Sequence, residues 1–236
     1  MRRAVLVTPE LRTRARGLGT PVALALGRLG LTPNALTVIG FAISVAAAVA
    51  AANTAWLAAG FLVIFGGVFD LFDGSLARAT GKAGPVGAFL DSTFDRAGEG
   101  IVLLGIAAGS LALGIEGPVL LAFAASLASF MVSYTRARAE SLGFDTGAGM
   151  AAVGLAPREV RLVILTIGLV IAGLVATEPP TGGAGGMAEP LDVLVLELAL
   201  GLIALLATLT TIQRVLHSIR RGHRQASPSG DVGATR

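Results

Sequence analysis

The chain has 236 residues, 54% of them hydrophobic and only 14% charged, with a formal net charge of +3. That balance excludes an ordinary soluble globule and describes a polytopic membrane protein of one domain. Cysteine is absent, which excludes disulfides and thiolate metal sites and leaves the redox compartment open.

In chain order, residues 8–29 alternate basic and apolar side chains at helical spacing, with Leu11, Ala15, Leu18, Val22, Leu26 and Leu29 recurring. This predicts an amphipathic helix, either lying in the membrane interface or packed on the protein. Arg2 and Arg3 precede a mixed polar stretch, so no cleaved signal peptide is expected. Gly30 to Asn34 breaks the helix, with Thr32 as N-cap and Pro33 at the first position of the next. Span one then runs from Ala35 to Ala52, and span two from Ala55 to Asp70, its helix continuing out of the membrane through Arg78. Gly81 to Pro85 is a turn that folds this extension back against span three, Val86 to Leu113. Span four covers Pro118 to Tyr134, span five Val160 to Ala176 and span six Val193 to Val215. Trp56 is expected to anchor the outer interface. The Glu178–Pro190 loop reads as flexible, and the basic tail as disordered from about Gln225.

The expected fold class is therefore all-α: six transmembrane helices plus an N-terminal amphipathic interfacial helix. Residues 1–32 form the interfacial segment, 33–217 the membrane domain and 218–236 the basic tail.

Charge placement orients this layout. Lys and Arg are absent from 29–77, 97–135 and 162–213, and the intervening blocks are basic. The alternate loops, near Asn53, Glu116 and 177–191, are acidic or neutral. By the positive-inside rule both termini, the 78–96 segment and the 136–161 segment face the cytoplasm.

Four aspartates carry the chemistry. Asp70 and Asp73 are spaced i,i+3, and Asp91 and Asp95 i,i+4, so on helices each pair shares one face. Both pairs end strongly apolar stretches, where ionised carboxylates are costly unless compensated. Four carboxylates in one cleft repel one another unless cations neutralise them, which points to an oxygen-ligand site for hard divalent metal, best as two ions. Residues alone do not distinguish Asp95 as a base from Asp95 as a ligand. Glu99 and Glu197 lie in or near the hydrocarbon, where each could pair with a polar helix face or sit at a dimer interface.

The segment from Asp70 to Asp95 resembles the signature of the CDP-alcohol phosphatidyltransferases, D-x2-D-G-x2-A-R-x8-G-x3-D-x3-D. Asp70, Asp73, Gly74, Ala77, Arg78, Gly87, Asp91 and Asp95 fill every fixed position. The resemblance implies Mg²⁺ or Mn²⁺ held by Asp70, Asp73, Asp91 and Asp95, with Asp95 also acting as general base. It implies a CDP-lipid site made by Pro33, Asn34, Ala35, Leu36, Gly74, Arg78, Gly84 and Gly87. Gly84 departs from the Ser or Thr that members often place near there. Homodimerisation is likewise implied by the family alone.

Arg136, Arg138, Arg158 and Arg161 flank one cytoplasmic loop and would make an anion pocket beside the metal. This region and the run from Gly87 to Arg96 are similar to the actinobacterial phosphatidylinositol-phosphate synthases, although related positions there carry Lys-x-Arg where this chain has Arg136 and Arg138. The implied reaction moves a phosphatidyl group from CDP-diacylglycerol to inositol phosphate in the bacterial plasma membrane, releasing CMP. Glycerol 3-phosphate is the alternative acceptor. An ion-coupled transporter is the alternative of another class, disfavoured because the acids cluster at one membrane surface. No nucleic-acid partner is expected.

Overall fold

The structure, a computed structural model, describes residues 20–144, 153–176 and 190–226. Within them the chain is all-helical. A short helix α1 (20–28) leads into six long ones: α2 (Pro33–Ala52), α3 (Trp56–Ala79), α4 (Pro85–Ala112), α5 (Glu116–Ser141), α6 (Arg158–Val175) and α7 (Leu191–Ala226). The start of α2 follows from its residues. Thr32 is extended, its hydroxyl accepts the Ala35 amide hydrogen at 3.2 Å, and Pro33 supplies the preset φ of the first turn. At 24 residues, α3 is about 36 Å long, more than the hydrocarbon core needs, so its last turns carry Asp70 to Arg78 beyond the apolar run. It ends at a turn where Gly81 takes φ +67°, a conformation that favours glycine, and Pro85 opens α4.

The long helices close into a ring in the order α2–α3–α6–α7–α5–α4 and back to α2. This corrects the expectation that the extension of α3 folds directly against α4. Instead α2 wedges between them, because its facing residues are small. Gly105 and Gly109 of α4 lie so close to the carbonyls of Ala48 and Ala51 that a side chain at either would collide with backbone. Ala47, Ala51, Leu103, Ile106, Leu165, Leu169, Leu196 and Leu200 fill the interior. Outward positions are apolar too: Leu104, Leu120, Phe123, Leu127 and Leu205 are all more than half exposed, the pattern of lipid-facing surface. Trp56 is not an interfacial anchor. It is only 3% exposed, with its ring over Gly109, a site vacant enough to take an indole.

Among the described residues, α2, α3, α5 and α7 are long and apolar enough to cross a membrane. Charges interrupt the other two, Asp91, Asp95, Arg96 and Glu99 in α4 and Arg158, Glu159 and Arg161 in the 18-residue α6. The helix α7 continues through Ala226, so residues 218–226 are helical and the tail begins later than expected. Of the N-terminal helix, 20–28 is seen packing Ala23 and Leu26 against Leu36 and Leu76, while the reading for 8–19 lies outside the described residues. The Glu178–Pro190 loop and the end of the tail lie outside them as well, apart from Pro190.

Candidate active site

At the end of the ring where the basic residues collect, α2 brings its first turns between the acidic faces of α3 and α4. Thr37 of α2 donates its hydroxyl hydrogen to Oδ2 of Asp73 at 2.7 Å, and Asp73 is 5% exposed. One turn further, Gly40 leaves room for Asp70, whose Oδ1 is 3.0 Å from where a β-carbon would stand. Asn34 reaches the other way, its Oδ1 3.4 Å from a β-carbon position on Gly87. The α2 start thus touches both halves of the acidic segment.

Arg158, from the first turn of α6, enters this cleft from the far side. Its Nη2 lies 2.8 Å from Oδ2 of Asp70 on α3, and its Nη1 2.7 Å from Oδ1 of Asp95 on α4. A single guanidinium therefore spans the two acidic helices, and Asp91 lies near enough to feel its charge. Among the described residues no three ligating side chains close on a common point, and this guanidinium lies between Asp70 and Asp95.

Arg78 folds back over Gly74, its Nη1 3.2 Å from where a β-carbon would be, and its Nη2 donates to Ser75 Oγ at 3.5 Å. Gly84, the N-cap of α4, is extended and faces open space, so the departure at this position leaves room for a larger residue. Leu36 differs from expectation. It is fully buried against Ala23 and Leu76, so it belongs to a small core and is closed to a nucleotide.

The four arginines expected to share one pocket are divided. Arg136 pairs with Glu140 one turn along α5 at 2.9 Å, Arg138 is exposed, and Arg158 sits on the aspartates. Arg161 is the correction. It is 2% exposed, gives Nε and Nη2 to the two oxygens of Glu99 at 2.7 Å each, and gives Nη1 to the Ala156 carbonyl at 2.9 Å. A guanidinium so committed has no face left for an acceptor phosphate. The pair also settles how Glu99 is tolerated: both charges are desolvated, and removing one partner costs about 3–5 kcal/mol.

Sequence reasoning did not assign Arg96 or Arg214. Arg96 gives Nη1 to the Ser92 carbonyl and lies within electrostatic range of Arg136, Arg158 and Arg161. Arg214, in the middle of α7 and 4% exposed, donates to the carbonyls of Val153 and Val132, joining α7 to α5 and the chain entering α6. Thr210 accepts the Leu155 and Ala156 amide hydrogens just above it. The available signal was an arginine one turn before the polar end of a span, which positive-inside patterning alone already accounts for.

An all-helical bundle with an apolar outer surface carries two pairs of aspartates at one end, on α3 and α4, an arrangement that fits a membrane enzyme acting at the bilayer surface. The chain belongs to the CDP-alcohol phosphatidyltransferase family, whose sequence profile matches residues 30–219. It is 34% identical over 200 residues to an archaetidylinositol phosphate synthase of Pyrococcus horikoshii, covering 85% of this chain and 90% of that one. The crystal structure of Mycobacterium tuberculosis phosphatidylinositol phosphate synthase with CDP-DAG bound superposes with a TM-score of 0.70 at 28% identity, covering 92% of this chain and 98% of the other. The same enzyme in complex with manganese and citrate gives a TM-score of 0.69 at 29% identity, over 92% and 93%. The family expected from the aspartate signature is the family found.

Proposed function

We propose that this protein transfers the phosphatidyl group of CDP-diacylglycerol to inositol phosphate and releases CMP, in the plasma membrane with the acidic cleft and both termini on the cytoplasmic side. The observation that carries the reading is the pair of acidic helix faces, Asp70/Asp73 and Asp91/Asp95, set around the start of α2 with Arg158 between them. The relatives named above share inositol phosphate in their products while their lipids differ, which supports the acceptor. The six-membered ring supports a reading of six spans: α4 and α6 close it between four helices that meet the requirements of a span, and their charges lie at the cleft end. Residues 33–217 form the membrane domain, and 1–32 an interfacial segment. Homodimerisation rests on the family resemblance.

The donor set fits a hard divalent ion. Asp70, Asp73, Asp91 and Asp95 offer only oxygen, and Thr37 already holds one Asp73 oxygen in a fixed direction, leaving the other for a ligand. These four would hold two Mg²⁺ or Mn²⁺ ions, which when bound neutralise pyrophosphate charge and polarise the phosphorus. Arg158 then exchanges its carboxylate partners for the acceptor's phosphate, a planar fork suited to either anion. Arg136 and Arg138 add positive charge at the mouth. Gly74, Gly84 and Gly87 let the nucleotide approach backbone, with Pro33, Asn34 and Ala35 beside it and Arg78 over its phosphates, while the buried Leu36 supports this segment from below. Asp95 takes the proton of the acceptor hydroxyl as that oxygen bonds to the phosphorus bearing the lipid, and the bond to CMP breaks. The carboxylate's low solvent access keeps water from competing for the same proton transfer.

The test is turnover of labelled CDP-diacylglycerol by purified protein against a panel of inositol phosphate, glycerol 3-phosphate, inositol and serine. Inositol phosphate should be the best acceptor. Turnover with glycerol 3-phosphate alone would replace the acceptor, and turnover with none of them would sink the reading.

A further inference from the structure

Two ion pairs join α4 to α6 across the interior of the ring, although these helices are not neighbours in it. Asp95 and Glu99 are one turn apart on α4, and Arg158 and Arg161 share a face of α6, so the pairs stack as two rungs of the same polarity. The lower rung, Asp95–Arg158, opens on the cleft, with side chains 18% and 26% exposed. The upper rung, Glu99–Arg161, is sealed, with side chains 5% and 2% exposed. Arg161 also ties the Ala156 carbonyl, so this rung fixes the point at which the chain enters α6. A bidentate pair in a dry interior tolerates little displacement of either helix.

We propose that Glu99 and Arg161 are positioning residues whose pair sets the separation and register of α4 and α6, and through them the placement of Arg158 against Asp95 and the acceptor. The inference rests on the reading of Arg158 as a ligand of the acceptor phosphate. Its logic is that the lower rung is expendable and the upper one is not. When Arg158 turns from Asp95 to an acceptor, one cross-link between the helices is given up, and the sealed rung keeps the proton-accepting carboxylate and the phosphate-holding arginine at a working distance.

The test compares Glu99→Gln, which removes the charge, with Glu99→Asp, which keeps it but shortens the rung, each alone and with Arg158→Ala. A Thr93→Cys/Val163→Cys pair, both sites exposed on α4 and α6 of a chain without cysteine, carries spin labels for distance measurement. Both Glu99 variants should raise the acceptor KM about tenfold or more with the CDP-lipid KM little changed, and should shift or broaden the inter-label distances. With Arg158→Ala already present, the Glu99 effect on acceptor KM should disappear. Equal rises in both KM values, a Glu99 effect that multiplies in full with Arg158→Ala, or an unchanged acceptor KM would overturn the proposal. If Arg158→Ala alone leaves the acceptor KM unchanged, the acceptor-pocket reading fails instead. The distances then decide the brace, upheld if they move in Glu99→Gln and overturned if they do not.

Discussion

Thr37 and Asp73 form a hydrogen bond of 2.7 Å between α2 and α3 at the floor of the acidic cleft. The same hydroxyl is 3.2 Å from the Pro33 carbonyl, but its one hydrogen goes to the nearer, charged oxygen. This donor fixes which Asp73 oxygen faces the cleft. Thr37→Val keeps the shape and removes the side-chain donor of the buried carboxylate, leaving the Gly74 backbone, at a cost of about 1–3 kcal/mol. The expected result is a higher metal concentration for half-maximal activity, with the acceptor KM little changed. An unaltered metal requirement would show that Asp73 is oriented by something else.

The wedge position of α2 makes a stability prediction. A β-carbon on Gly105 would meet the Ala48 carbonyl, a backbone group that cannot rotate away. Gly105→Val should therefore lower stability by at least about 1–3 kcal/mol, read as a fall in Tm of the detergent-solubilised protein. Gly67→Ala, where nothing lies within 4 Å of the added carbon, is the control and should leave Tm nearly unchanged or slightly raised.

These two sites mark what was legible in the sequence and what was not. Helix limits followed from local signals: Thr32 and Pro33 begin α2, Gly81 and Pro85 bracket the turn before α4, and each expected span lies within or close to an observed helix. The aspartates were legible because their i,i+3 and i,i+4 spacing is itself local. Partner choice across the interior was not. Arg158 and Arg161 are three residues apart on one face, yet one meets Asp70 and Asp95 in the cleft and the other meets Glu99 in the core. Their difference depends on how deep α6 sits against α4, and periodicity along a single helix contains no such depth. Trp56 failed for the same reason, since the space that takes its ring is made by Gly109 on another helix.

Removal of metal gives a direct check on the carboxylate set. Chelation should abolish turnover, and Mg²⁺ or Mn²⁺ should restore it, because Asp70, Asp73, Asp91 and Asp95 cannot face a pyrophosphate without cations to offset their charge. Asp91→Asn should abolish turnover and weaken metal-dependent nucleotide binding. Full activity in excess chelator would be incompatible with a metal site here.

The role proposed for Asp95 sets it apart from the other three. If it accepts the acceptor's proton, Asp95→Asn should lower turnover by a factor of at least about 10² while CDP-lipid affinity is largely kept. Near-normal turnover in that variant would reassign the base. Gly84→Ser offers a gain in place of a loss: the position is an extended N-cap with open space around it, so serine should add a few tenths of a kcal/mol to stability through its cap, about 0.3 kcal/mol.

The arginines make the final prediction, because the structure ranks them. Arg158 lies in the cleft against Asp70 and Asp95, Arg136 is tied to Glu140 on the rim, and Arg138 is exposed. Loss of a charge-assisted hydrogen bond to the acceptor's phosphate is worth about 1.5–3 kcal/mol, so Arg158→Ala should raise the acceptor KM roughly 10- to 150-fold. Arg138→Ala should change it by much less, since an exposed charge is screened by solvent and salt. The CDP-lipid KM should barely move in either variant. A role limited to membrane topology predicts the opposite pattern, normal kinetics in the correctly inserted fraction with poor or inverted insertion. Two-substrate kinetics on protein checked for orientation therefore distinguish the cases. If Arg158→Ala and Arg138→Ala give the same acceptor KM as the parent enzyme, the acceptor carries no phosphate that these arginines hold, and an uncharged alcohol takes its place.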